Sequence, residues 1–156
     1  MKPRRYLWTD AFAVCNFLGL ARQTGEDRYL RFARALVDQV HHVLGRHRDD
    51  DPRKGWIRGL SQEEGERHPT RGGLRIGKPQ NERGEGQRPD SQLEWQQAGQ
   101  YFHYLTKWMH ALYRMGQETG EHCFQNWAVE LAATHIGFFL QNTFRRSYAA
   151  RVEDEH

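Results

Sequence analysis

At 156 residues the chain is long enough for one domain with a buried core and too short for several. Hydrophobic residues make up 37% of it, below the ~45–50% usual when Gly is counted among them, and the deficit lies mainly between residues 45 and 92. A net charge of +3, from 23 Lys+Arg against 20 Asp+Glu, is too mild to argue for a nucleic-acid partner, and no stretch nears the ~20 apolar residues of a membrane span.

Lys2, Arg4 and Arg5 precede an apolar run to Ala21, in the manner of a signal peptide. Asp10 and Asn16 interrupt that run and no small-residue cleavage site follows, so secretion is not expected. The first helix is expected over about 6–23. Phe12, Ala13, Phe17 and Leu20 form its apolar stripe, widened by Leu7, Val14 and Leu18. Gly25 can take a positive φ and stop it. A second helix is expected over about 27–44, with Tyr29, Ala33, Leu36, Val37, Val40 and Leu44 on one face. A long irregular loop, 45–98, follows, rich in Gly, Arg, Glu and Pro. Trp56, Leu74, Ile76 and Trp95 are its expected anchors, through a short hairpin, while the stretch from Gln80 to Ser91, without one apolar residue, is expected to be mobile. A third helix is expected over about 99–118, with Tyr101, Tyr104, Leu105, Trp108, Leu112 and Met115 on one side. A fourth is expected over about 121–144, with Phe124, Trp127, Leu131, His135 and Phe138 as its stripe, and then a frayed polar tail from Arg145. Cys15 and Cys123 fall among apolar neighbours in these helices. Two buried thiols fit a reducing, cytoplasmic compartment.

One turn occurs twice. Thr24-Gly25-Glu26 precedes Tyr29, Phe32, Ala33 and Leu36; Thr119-Gly120-Glu121 precedes Phe124, Trp127, Ala128 and Leu131 at the same offsets, 95 residues on. Self-similarity at a fixed offset marks a repeat fold. The unit is a helix, a Thr-Gly-Glu turn and a second helix, so the expected fold is all-α, two antiparallel αα-hairpins with the loop between them.

Several groups carry potential chemistry. His103, Lys107, His110 and Arg114 share one face of the third helix by their spacing, and Gln100 precedes them. Such a run reads as a solvated face first and as the polar wall of a ligand site second. Trp8, Trp56 and Trp95 lie near element ends or in the loop, where an indole can stack on a sugar ring or simply anchor the chain. Asp10, in the first turns of helix one, and Glu94, before helix three, are candidate acid and base; for Asp10 the plainer role is favourable charge at a helix N-terminus. His41, His42 and His47 lie near Asp49, Asp50 and Asp51, but no spacing matches a metal-ligand pattern, and neither metal nor cofactor is expected. Gly72 to Lys78 nearly fits a phosphate-binding loop, yet Pro79 stands where a Ser or Thr is needed. The glycines are expected to shape a tight loop.

Three segments resemble an uncharacterised, mostly bacterial family of the six-hairpin glycosidase-like class, the α/α toroids. They are Arg5 to Phe12 (RYLWTDAF), Gly72 to Lys78 (GGLRIGK) and Gly99 to His110 (GQYFHYLTKWMH). The similarity runs from Arg5 to about His135. It implies a carbohydrate ligand and a pocket at one end of a toroid, with glycoside hydrolases and sugar epimerases as the related activities. On that reading Asp10 and Glu94 are the catalytic pair, and Trp8, Trp56, Arg75, Trp95, Gln100, His103 and Lys107 bind substrate. Two departures qualify it. Gln96 and Ala98 stand where the family pattern has acids, so turnover is in question. Four expected helices also make only a third of a twelve-helix ring. The chain, 1–156, is therefore expected to be a single incomplete α/α-toroid domain that associates with itself or with the rest of a ring. The alternatives are a non-catalytic helical binding or interaction module, or an inactive remnant.

Overall fold

The computed structural model describes the backbone of residues 4–77 and 91–137, and side chains over 4–77 and 101–137. Among these residues the fold is all-α. Helix α1 is Leu7–Thr24 and α2 is Asp27–Leu44. A 3₁₀ turn, Ile57–Gly59, leads to a short α3, Gln62–Arg67. The long α4 is Ser91–Thr119, and α5 covers residues 122–137, helical to the last described residue. No helix among the described residues is long and apolar enough to cross a membrane.

The repeated turn is repeated in structure. Gly25 (φ 70°) and Gly120 (φ 72°) both take the left-handed conformation, which glycine adopts without the Cβ clash other residues meet. Each donates its N–H to the last turn of the helix before it, Gly25 to Ala21 O at 2.9 Å and Gly120 to Gly116 O at 3.0 Å. The threonine hydroxyls match as well. Thr24 donates to Leu20 O (2.8 Å) and accepts from the Glu26 N–H (3.2 Å); Thr119 donates to Met115 O (2.7 Å) and accepts from the Glu121 N–H (3.2 Å). One short sequence thus satisfies a helix end and starts the return helix, twice.

The two hairpins stack side by side. α1 packs on α2 within its hairpin and on α4 of the next. α2 lies along α5: Arg34 pairs with Glu121 and its guanidinium lies 5.9 Å over the Phe124 ring, and His41 meets Trp127 at 5.2 Å. Higher numbers on α2 meet higher numbers on α5, so these helices run parallel. First helices are neighbours and second helices are neighbours, the layout of stacked helical pairs. The shared core takes Leu7, Ala11, Val14 and Leu18 from α1; Ala33, Val37, Val40 and Leu44 from α2; Leu105, Trp108, Leu112 and Met115 from α4; and Phe124 and Leu131 from α5.

Three expectations change. The buried stripe of α1 is Leu7, Ala11, Val14 and Leu18, whereas Phe12 and Leu20 are exposed. α1 is apolar nearly all round, so its sequence alone does not fix which face turns inward. The third helix begins at Ser91 rather than 99, because helix continues through the polar stretch and Gly99. The loop is not structureless. Ser61 accepts from the Glu64 N–H (3.1 Å) while the Glu64 carboxylate accepts from the Ser61 N–H (3.0 Å), a reciprocal cap that starts α3. The expected hairpin reduces to one bridge, Arg46 to Trp56. The expectations for residues 80–90 and for the chain after Gly137 lie outside the described residues.

Segment 67–76 is fastened along the helices. Thr70 Oγ1 donates to Trp127 O (2.7 Å), Trp127 Nε1 to Arg67 O (3.0 Å) and Thr134 Oγ1 to Arg71 O (2.8 Å). His68 Nδ1 lies 2.6 Å from Glu130 Oε1. Leu74 enters the core, its carbonyl accepts from the Tyr101 hydroxyl, and Leu7 N donates to Ile76 O at 3.1 Å.

Candidate functional site

Three residues singled out from the sequence come together on the seam between α1 and α4. Trp8, in the first turn of α1, is half-buried, and its ring lies 5.0 Å from that of His103. Lys107, one turn further along α4, holds its ammonium 5.7 Å over the same indole, within the range of cation–π attraction. Two further aromatics complete the patch. Phe12, one turn from Trp8 on α1, is exposed at 5.5 Å; Tyr104 meets Trp8 edge-on at 5.5 Å and Tyr6 at 5.8 Å. Trp8 and His103 are 95 residues apart, the repeat offset, so hairpin stacking itself brings them together. Of the remaining basic face of α4, His110 is exposed and Arg114 pairs with Glu118 at 3.6 Å; these belong to a solvated surface. Burial pushes the Cys15 thiol up, against the pull of Arg114, and Cys123 is also raised by burial.

Asp10, between Trp8 and Phe12 in the chain, is buried in the first turn of α1. Its Oδ2 accepts from the Tyr6 N–H at 3.1 Å and its Oδ1 lies 3.4 Å from Arg5 Nη1. Burial raises its carboxyl above the ordinary range, while Arg5 and the Tyr6 N–H pull the other way. Both oxygens serve the start of α1, where the helix dipole favours a negative charge. Asp10→Asn keeps an oxygen for Tyr6 but loses the charge for Arg5. We expect a loss of about 1–2 kcal/mol in urea unfolding, with ligand binding at the Trp8 patch unchanged. Loss of binding at intact stability would put Asp10 in the site.

Trp56 and Arg75 serve the fold instead of the patch. Trp56 is 2% exposed, so its faces are closed to a sugar. Arg46 covers one face at 4.6 Å and His42 lies 5.5 Å away. Gly45 and Gly65 press so close to the indole that a Cβ at Gly65 would overlap the ring. Arg75 closes the end of α2: its guanidinium donates to Val43 O (2.6 Å) and Arg46 O (2.7 Å), and its N–H to Leu44 O (2.9 Å). Carbonyls at a helix C-terminus have no partner within their own helix. Gly72 and Gly77 of the 72–77 loop are packing devices. A Cβ at Gly72 would meet Ile57 O, and one at Gly77 would meet Arg5 O. The side chains of Glu94, Trp95 and Gln100 lie outside the described residues, as does Lys78.

Compared with protein families, with curated proteins and with solved structures, the chain matches none. Its chemistry is therefore read from the patch: an indole with an exposed neighbouring phenyl ring, an imidazole and an ammonium, all on one open seam.

Proposed function

We propose that the chain binds carbohydrate at the Trp8 patch without turning it over, as a helical module of the six-hairpin glycosidase-like class that carries two hairpins. The observation that carries this reading is the meeting of Trp8, His103 and Lys107 on one surface. An indole face takes the C–H face of a pyranose, and an imidazole and an ammonium beside it can hydrogen-bond the ring hydroxyls. The binding-only part of the proposal is supported by Asp10, whose two oxygens are engaged by Arg5 and Tyr6 within its own turn. General acid–base work needs a carboxyl within reach of the bound sugar. Hairpins stacked with like helices adjacent support the toroid class, which repeats this step around a ring.

The test is a titration of chain labelled with ¹⁵N at tryptophan, using a panel of neutral, amino and acidic oligosaccharides and watching the Trp8 indole signal. We expect a saturable shift with at least one sugar, its loss in Trp8→Ala, and no new saccharide after prolonged incubation. An unmoved Trp8 signal across the panel would overturn the binding reading. Product formation would overturn the binding-only part and return a hydrolase or epimerase.

A further inference from the structure

We propose that the two outer flanks of the hairpin stack are the two halves of a head-to-tail interface between copies of this chain. This goes beyond the carbohydrate reading and does not depend on it. The internal interface supplies the template. In hairpin one, Leu7 and Leu18 are fully buried in the core it shares with hairpin two, Arg34 pairs with Glu121 and His41 packs on Trp127. Moved on by the 95-residue repeat, these positions become Phe102, Tyr113, Val129 and Ile136. All four are large apolar side chains, and all four are between 42% and 67% exposed. At these four positions the flank of hairpin two that would stack on a third hairpin is already apolar, while His103, the counterpart of Trp8, belongs to the patch.

The opposite flank obeys the same shift in reverse. In hairpin two, Met115 is buried in the shared core, Phe124 lies under Arg34 and Trp127 meets His41. Their counterparts on hairpin one are Leu20, Tyr29 and Phe32, of which Leu20 and Phe32 are exposed. One ion pair is not repeated. Val129 replaces Arg34, and Glu26, the counterpart of Glu121, pairs with its own neighbour Arg28 at 2.8 Å, so that carboxylate is not stranded. Of the exposed large apolar side chains among the described residues, Phe12 alone falls outside this scheme; it belongs to the Trp8 patch. Exposed apolar area concentrated on two flanks marks an interaction surface. The continuing surface is of the same kind as the one that already joins the hairpins, so the occupant is a second copy. Two different patches meeting make a heterologous contact, which propagates or closes into a ring.

The experiment is light scattering on the full chain over a concentration series, with circular dichroism to verify helicity. Three variants are compared: Phe32→Lys on one flank, and Val129→Lys/Ile136→Lys or Tyr113→Lys on the other. Wild type is expected to exceed the 18.5 kDa of one chain increasingly with concentration, and each variant to stay at one chain. Mixing Phe32→Lys with Val129→Lys/Ile136→Lys restores one intact flank of each kind, so a 1:1 dimer and nothing larger is expected. A wild type that stays at one chain, variants that associate like wild type, or a mixture that does not pair would each overturn the proposal. The first result would leave the flanks to the chain's own remaining residues or to another protein.

Discussion

Taking the protein from pH 6.5 down to pH 3 is expected to remove up to about 5 kcal/mol of stability through one side chain, His41. The imidazole is fully buried between Trp108 and Trp127. Trp108 Nε1, which can only donate, gives its hydrogen to His41 Nε2 at 3.1 Å. Nε2 is therefore the unprotonated nitrogen, and the folded ring is neutral. Burial is the main cause and the neighbouring His42 a smaller one, and together they lower the His41 pKa to about 3. The unfolded chain takes up a proton near pH 6.5 and the folded chain does not, so acid favours unfolding. The contribution is complete above pH 6.5 and falls away as pH drops toward 3. Its slope is at most about 1.4 kcal/mol per pH unit. Burial also lowers the pKa of His135, which acts in the same direction, so the difference between wild type and a His41 variant isolates the His41 share. His41→Gln keeps an acceptor for Trp108 and removes the titration. Urea unfolding between pH 6.5 and 5 should give the variant a distinctly flatter pH dependence than wild type. Equal slopes would contradict the assignment.

Trp56→Ala is expected to cost about 3–5 kcal/mol, the range for emptying a buried aromatic site. The indole is the point where the loop meets α2 and α3. Arg46 and His42 lie on it, Gly45 and Gly65 are shaped to it, and Ile57 N donates to Gly45 O at 2.9 Å beside it. Removing the ring takes away the surface against which two glycines and a guanidinium are fitted. It also loosens a salt-linked group in which Glu66 lies 2.9 Å from His42 Nε2 and 3.3 Å from Arg46 Nη2. Gly65→Val should cost a similar amount for the opposite reason, since its side chain has no room. Hydrogen exchange at Ile57 and Arg75, whose amides fasten the loop to α2, is the local readout. Their protection should fall in both variants. A Trp56→Ala protein with unchanged urea midpoint would mean that the loop is held elsewhere.

The hairpins are legible in the sequence because local chemistry and repetition agree. The Thr-Gly-Glu turn carries its own hydrogen-bond pattern in three residues, and helical periodicity flanks both copies. The inward face of α1 is not legible. A helix that touches α2, α4 and the core is apolar on several sides, so neither Phe12 nor Leu20 announces itself as exposed. The cap of α3 is written in the sequence as Ser61-Gln62-Glu63-Glu64, the reciprocal S-x-x-E pattern. It escapes notice because the surrounding segment has no apolar period. The candidate site is legible in part. Helical spacing puts His103 and Lys107 on one face, and the repeat offset relates Trp8 to His103; together they foretell the patch. The same spacing assigns to the core both Phe12, which is exposed instead, and Tyr104, which does pack against the core. For Trp56 and Arg75 the sequence offers residue type but no partner, and only the backbone path of the loop reveals that one is a buried anchor and the other a helix cap.

Saturation-transfer difference NMR tests the central reading most directly, with the best sugar from the titration and ¹H saturation of the aromatic region. The account predicts strong transfer to the C–H protons on one face of a pyranose ring, abolished by Trp8→Ala and weakened by Lys107→Ala. Transfer that survives Trp8→Ala would contradict it and move the ligand away from the α1–α4 seam.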